Sequence, residues 1–364
     1  PSGPFVPQAD LTTTGLLDFE SLTFDDSIRI GVKAANLAEL RQLLGDTTPP
    51  GFAIPFHYYD QFMQTTQLTA SLCLDAELDC VEEGRDAAVC QDAAALCAVS
   101  GDTQATLQAY AEEIIGNPDL QSDTLLREAV LDGLRYAIHH GTVDASFGEM
   151  LDARVSSLVG NSRARLRSST NAEDLLHFSG AGLYRSVSSQ VGTEIQPSSR
   201  VREVWASVWG WAAFEERSYW NIDHLATKMG VAVHRSFPEE EANGVLITQS
   251  IANPAISGFY VNVQVGEVSV TNPEGGVLPE VFTMIGGTGG AQVIRDRFSS
   301  LSPNQPILTD AEMRELHEAA TRVQQRFSVL YGENPFTFGL ELEFKIIPPD
   351  RHLIIKQARP YFDR

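Results

Sequence analysis

The sequence is poor in lysine. Of its 26 basic residues only Lys33, Lys228, Lys345 and Lys356 are lysines, leaving 26 − 4 = 22 arginines. Any chemistry that needs an amine has four candidates. Basic charge as a whole is scarce: 48 acidic residues give a net charge of −22, and a chain of that sign repels phosphate backbones. Nucleic acid is therefore excluded as a partner unless a local basic patch opposes the field. No run of 18 apolar residues occurs, so no membrane span is expected. Internal repeats and low-complexity tracts are missing, which excludes solenoids and disordered scaffolds. There is no G-x-x-x-x-G-K-[ST], so the chain has no P-loop. What remains is a globular composition, 43% apolar over 364 residues, enough for two domains or one large domain with lobes.

Cysteine is also sparse, and all four copies fall in one stretch: Cys73, Cys80, Cys90 and Cys97. Their intervals of 7, 10 and 7 are mirror-symmetric about a helix-prone segment with Gly84 near its centre. Residues seven apart share a helix face. Two antiparallel helices turning near Gly84 would oppose Cys73 to Cys97 and Cys80 to Cys90, a disulfide-stapled hairpin. The alternatives are four unrelated buried thiols, or a metal site, against which stands the lack of tight Cys-x-x-Cys spacing. Paired cysteines imply an extracytoplasmic setting, periplasmic or secreted, with the cytoplasm as the alternative. Residues 1–16 are expected to be an N-terminal tether.

Along the chain, 31–44 reads as a Gly-containing turn and then a helix, with Leu37, Leu40 and Leu44 on one stripe. A short strand is expected in 49–55, and 56–140 should be mostly helical. A linker at 141–160 leads to a strand at 163–169. Another strand is expected near 183–189, followed by a Trp-rich helix over 199–220 whose four tryptophans read as core. Strands follow at 228–237, 244–250 and 258–270, with Pro/Gly-rich loops over 272–290. A helix over 311–331, capped by Asp310, precedes a hairpin turning at PPDR. In that hairpin Phe338, Leu340, Leu342, Phe344 and Ile346 point one way, and Glu341, Glu343 and Lys345 the other. The class is α+β with antiparallel hairpins.

Four places carry candidate chemistry. Lys33 lies where a turn opens a helix, a position suited to phosphate. The stretch LRSSTNAEDLLHFSGAG (166–182) sets Arg167, hydroxyls and glycines after a strand, a set that can wrap an anion. Glu341 and Glu343 lie about 7 Å apart on one strand face, which suits a divalent cation or simply faces solvent. Gln357 and Arg359 sit on the returning strand, with Gln357 near Glu343.

Taken together these segments resemble the nucleotide-binding domain of the pyruvate phosphate dikinase, phosphoenolpyruvate synthase and glucan water dikinase family. GVKAANLAEL…PPGFAIP is similar to its G-G-K-G-x-N-L…P-P-G-F opening, and LRSSTNAEDL…SGAG to its R-S-S-A-x-x-E-D-L…S-x-A-G loop. VREVWASVW…ERSYWNIDH, NGVLIT and ELEFK…LIIKQARP resemble three further motifs in the same order. The resemblance implies a two-lobed ATP-grasp fold, with 17–230 as the first lobe, 64–140 as a helical insertion within it, and 231–364 as the second lobe. It implies ATP and Mg²⁺ as cofactors. Lys33 and Arg167 would hold phosphates and stabilise transferring charge, with Ser168 and Gly182 beside them. Glu343 would ligate Mg²⁺ with Gln357, and Glu341 is a further metal candidate. Arg359 would support the phosphates or the strand, and Thr248, Glu267 and Glu280 carry over more weakly. The family's adenine-facing V-V-V-Q-x-M reads VAVHRSF here, so His234 stands where glutamine is usual, and Val32 and Ala34 stand where the opening has glycines.

The family's G-G-x-x-[ST]-H-A histidine motif is not in the sequence. The resemblance therefore implies the nucleotide half-reaction of a phosphotransferase, directed to a phosphohistidine domain on another chain or to an unknown acceptor. A secreted, inactive ATP-grasp-like binding module and an ATP-grasp ligase are the alternatives.

Overall fold

The computed structural model describes residues 3–361 apart from 176, 177, 179, 181, 254 and 271–274. They divide into two compact units. Unit 1 comprises residues through Asp18, Asp25–Ala34 and Gly51–Arg235, and unit 2 comprises Phe19–Phe24, Ala35–Pro50 and the residues from Ser236 onward.

Unit 1 holds a five-stranded sheet of β1 (Leu17–Asp18), β2 (Gly51–Ile54), β3 (Ala164–Thr170), β4 (Val187–Ser189) and β5 (Met229–Arg235). Their order is β1-β2-β5-β3-β4, antiparallel throughout. Strand alternation gives its two faces different work. Phe52, Ile54, Leu166, Val187, Val231 and Val233 enter the main core together with Trp205, Trp209 and the helices. The opposite face carries Gly51, Ala53, Gly230 and Ala232, with Arg165, Arg167 and His234 among these small residues.

The helical part of unit 1 contains the stapled hairpin. Helices Ala70–Glu82 and Ala87–Asp102 are joined by Cys73–Cys97 and Cys80–Cys90, the pairing expected from the mirror spacing. The stretch 141–160 is a helix, Ala145–Val159, where a linker was expected. Asp144 caps it by accepting from the Phe147 amide, and Phe147, Leu151 and Val155, four apart, are buried. The Trp-rich segment is not one helix. Pro197–Ala206 and Trp211–Tyr219 are separated by a 3-10 turn and Gly210. Trp205 and Trp209 are core and Trp211 packs against it, but Trp220 is 42% exposed.

Unit 2 holds a six-stranded antiparallel sheet of β6 (Ala242–Ile247), β7 (Gly258–Val265), β8 (Glu280–Ile285), β9 (Val293–Arg297), β10 (Leu340–Ile347) and β11 (His352–Pro360). The order is β11-β10-β6-β7-β8-β9. β8 runs through the stretch expected to be loop, because Val281, Phe282 and Met284 bury in spite of the flanking Pro and Gly residues. Helix Asp310–Tyr331 is capped by Thr309 rather than Asp310, in a reciprocal box with Glu312. No helix among the described residues is long and apolar enough to cross a membrane.

Two histidines in unit 1 give the fold a pH dependence. His224 stacks on Phe214 with ring centres 3.9 Å apart and accepts from Arg217 Nε at 3.1 Å. Burial, then the Arg217 charge, pushes His224 down to about 3. His139 is pushed down to about 4 by burial and then by Arg135 and other neighbouring cations. Both rings stay neutral in the folded chain, while the unfolded chain takes up protons near pH 6.5. Their contribution is complete above about pH 6.5 and is lost as pH falls towards 4 and then 3, by roughly 1 kcal/mol per pH unit for each ring. Urea unfolding between pH 7 and 4.5 should show stability falling with acid, and the slope should be shallower by about that amount in His224→Gln. An unchanged slope would contradict this placement of the ring.

Candidate functional site

The expected site residues fall into two groups: Lys33, Arg167, Ser168, Gly182 and His234 in unit 1, and Thr248, Glu341, Glu343, Gln357 and Arg359 in unit 2. Ser179, within the expected phosphate loop, lies outside the described residues.

In unit 1 the site depends on two close backbone approaches. Gly31, at φ +87°, lies so near β3 that a Cβ there would sit 2.2 Å from the Ser169 carbonyl oxygen. A Cβ on Gly230, the cross-strand partner of Ser169, would sit 2.4 Å from the Ile30 carbonyl oxygen. Ile30 and Gly31 therefore cross the Ser169–Gly230 pair with no room for a side chain at either glycine. This contact starts helix Val32–Leu44 directly over the end of β3. The Ala34 amide donates to Ser169 Oγ at 2.9 Å, and Lys33 Nζ donates to Ser168 Oγ at 3.3 Å and to Glu173 Oε1 at 3.4 Å. Val32 and Ala34 are helical with ordinary backbone angles, so only Gly31 in this turn requires glycine.

Arg167 is buried on the small-residue face of the sheet, opposite Ala232. His234 is also buried and pairs across the ladder with Arg165, so the sheet brings His234 and Arg167 to the same face one diagonal step apart. His234 Nδ1 lies 2.7 Å from the Arg235 carbonyl oxygen. Gly180 and Gly182 both have positive φ, and only Gly180 is crowded, by Glu173 and Ala172. Glu173 was visible in the sequence without a role. In the structure it is 5% exposed and joins Lys33 to the Thr170 amide.

In unit 2 the decisive feature is a register shift in the last hairpin. Up to Phe344↔Ile355 the strands pair as a simple hairpin, and past Glu343↔Gln357 they are one residue out of step. Lys356 is the extra residue. An unbroken ladder would face Gln357 to Leu342 in the core, because a one-residue slip reverses every side chain. The bulge instead sets Gln357 beside Glu343 and Arg359 beside Glu341. Arg359 Nε donates to Glu341 Oε1 at 3.0 Å, and Lys356 Nζ lies 2.9 Å from Glu343 Oε2. Both candidate metal carboxylates thus carry basic partners. Asn36, in the part of its helix assigned to unit 2, donates to the Ala358 carbonyl at 3.1 Å and holds this strand.

The weaker candidates have structural work. Thr248 Oγ1 accepts from the Leu340 amide at 2.9 Å where β6 meets β10. Glu280 is fully buried, pairs with Arg295 at 2.8 Å and accepts from the Ile307 amide. Glu267 is exposed. All four lysines stand beside carboxylates, since Lys228 reaches Asp60 and Lys345 reaches Glu240 as well. Lys356 and Glu173 are the partners that sequence reasoning missed. The bulge that exposes Lys356 leaves no periodic signal.

The family described as pyruvate phosphate dikinase, AMP/ATP-binding domain, matches residues 27–272. A probable phosphoenolpyruvate synthase of Pyrococcus horikoshii is 26% identical over 375 residues, covering 94% of this chain and 43% of that protein. One from Methanothermobacter thermautotrophicus is 26% identical over 368 residues, covering 94% and 45%. A rifampicin phosphotransferase of Streptomyces sviceus is 26% identical over 373 residues, covering 96% and 36%. The chain spans less than half the length of these curated relatives.

Gly31→Ala should destabilise unit 1 by about 2–4 kcal/mol, because it meets both an unfavourable φ and a backbone oxygen. Gly84→Ala has the same φ but open space around it, and should cost only about 1 kcal/mol. Urea midpoints of the two variants measure the difference, and equal losses would contradict the close approach.

Proposed function

The chain belongs to the pyruvate phosphate dikinase family of AMP/ATP-binding domains, and from that premise we propose that it binds ATP with Mg²⁺ in an ATP-grasp fold as the nucleotide-handling part of a phosphotransferase. The observation that carries this reading is the Lys33 ammonium held at a helix start by Ser168 and Glu173, beside the strand bearing Arg167. Lys33 and Arg167 take phosphate oxygens and offset the charge that builds on a transferring phosphoryl group. Ser168 and Gly182 flank the phosphates, and the β5 strand with His234 faces the base. In this reading 17–230 and 231–364 are the two ATP-grasp lobes, with 64–140 inserted in the first.

Glu343 and Gln357 offer hard oxygen donors of the kind Mg²⁺ accepts, with its other ligands drawn from phosphate and water. Among the described residues no group of three or more His, Cys, Asp or Glu forms a metal cage. Bound Mg²⁺ would neutralise phosphate charge. Glu341 fits less well as a ligand, because two Arg359 nitrogens hold its Oε1, where Glu343 has a single ammonium contact. Thr248 supports the start of β10 through its hydroxyl. The acceptor is a histidine on another domain or an unknown group. The relatives are named for different compounds, phosphoenolpyruvate and rifampicin, so no acceptor is carried across. The paired cysteines support an oxidising, extracytoplasmic setting.

A second reading, a nucleotide-binding module without turnover, is favoured by the ion pairs. Lys33 and Glu343 each have a partner that ATP or Mg²⁺ must displace.

Thermal unfolding with ATP and Mg²⁺ tests both. The intact chain should gain about 2.7 kcal/mol of stability at a nucleotide concentration 100 times the dissociation constant. Lys33→Ala and Glu343→Ala should each lose most of that gain. No gain in the intact chain would sink both readings; a gain kept in full by Lys33→Ala and Glu343→Ala would contradict the placement of the nucleotide and the metal at these residues.

A further inference from the structure

The sheet of unit 1 carries one charge that the fold leaves uncompensated. Arg165 lies two residues before Arg167 on β3 and therefore on the same face. Register sets it between His234 on β5 and Ser188 on β4. Its Nη1 donates to Ser188 Oγ at 3.1 Å, one of the five donors a guanidinium offers. Arg200 reaches the same residue, with Nε 3.2 Å from the Ser188 carbonyl oxygen.

The nearby carboxylate is engaged elsewhere: Glu203 pairs with Arg200 and with Arg185. Among the described residues no Asp or Glu comes within ion-pairing distance of Arg165. Burial, followed by the charges of Arg167 and Arg200, holds Arg165 below the usual arginine range, and no neighbour acts in the opposite sense. A half-buried cation without a counter-ion costs stability, and crowding by two further guanidiniums adds to the cost. This occurs in a chain with 48 acidic residues, where a carboxylate partner would be the simplest remedy. A planar guanidinium fork matches a phosphate or other tetrahedral oxyanion in two parallel bonds.

We infer that Arg165, with Arg167 and Arg200 around it, forms a position for a phosphate-class oxyanion on the sheet face beside Ser188 and His234. The position shares Arg167 with the nucleotide reading and rests on that reading where the anion is a nucleotide's phosphate, but not where it is free phosphate. The phosphate is either free inorganic phosphate or part of a nucleotide's phosphate chain, and the two sources can be separated.

The test is thermal unfolding of the intact chain and of Arg165→Met, with inorganic phosphate, with ATP free of metal, and with potassium chloride at matched ionic strength. At least one phosphate-bearing ligand should stabilise the intact chain beyond chloride, and Arg165→Met should weaken that response roughly tenfold or more. Arg165→Lys should retain part of it, as a point charge without the fork. The ligand-free melting temperature of Arg165→Met should be equal to or above that of the intact chain, because crowding is relieved. A phosphate response lost in the variant while the ATP response persists identifies a separate oxyanion position. An ATP response alone, lost in the variant, identifies the nucleotide's own phosphates. Equal responses in the two chains, no response to either ligand, or a clearly lower ligand-free melting temperature in Arg165→Met would overturn the inference.

Discussion

The arrangement of unit 1 depends on a backbone packed directly on a backbone. Ile30 and Gly31 cross the Ser169–Gly230 pair at a distance that no Cβ tolerates. Because the chain lies that close, helix Val32–Leu44 begins within hydrogen-bonding reach of β3, and its first turn can be pinned by Ser169 Oγ. The Lys33 ammonium is then held by Ser168 and Glu173 and is not left to sample solvent. Lys33 is 20% exposed at its side chain and Glu173 only 6%, so the pair is restrained while one end stays accessible. An anion arriving there meets a cation already oriented, which lowers the ordering cost of binding, but it must displace Glu173.

Unit 2 reaches a comparable result by a different device. A single extra residue, Lys356, turns Gln357 and Arg359 from the core face to the carboxylate face. The same displacement gives Glu343 its ionic partner. Such a pair, about a quarter exposed at both side chains, contributes little to stability. It does leave the Glu343 charge compensated by an ammonium. In a chain of net charge −22, compensation of this kind matters at every carboxylate expected to bind a metal, because the surrounding field is already negative.

Much of this was legible in sequence wherever a period or a motif spoke directly. The mirror spacing of Cys73, Cys80, Cys90 and Cys97 specified the staple, and alternation in 338–346 specified which side of β10 is buried. The helix over 145–159 is hard to read because Gly148 and the serines interrupt the stripe of Phe147, Leu151 and Val155. β8 was hidden by neighbouring glycines and prolines, though Val281, Phe282 and Met284 bury there. The bulge at Lys356 could not be read at all, since a register shift depends on pairing across the hairpin and not on composition. The charged pairs Lys33–Glu173 and Lys356–Glu343 were equally silent, being contacts between residues whose proximity is set by tertiary packing.

On the proposed function, Lys33 and Arg167 hold the phosphates of a metal-bound nucleotide. Isothermal titration calorimetry of the intact chain with ATP, in the presence and absence of Mg²⁺, tests it most directly. Binding should be saturable with one site per chain and weakened about tenfold or more when the metal is withheld, since phosphate charge would then go uncompensated in a chain of net charge −22. The absence of saturable binding at millimolar ATP with Mg²⁺ present would contradict it.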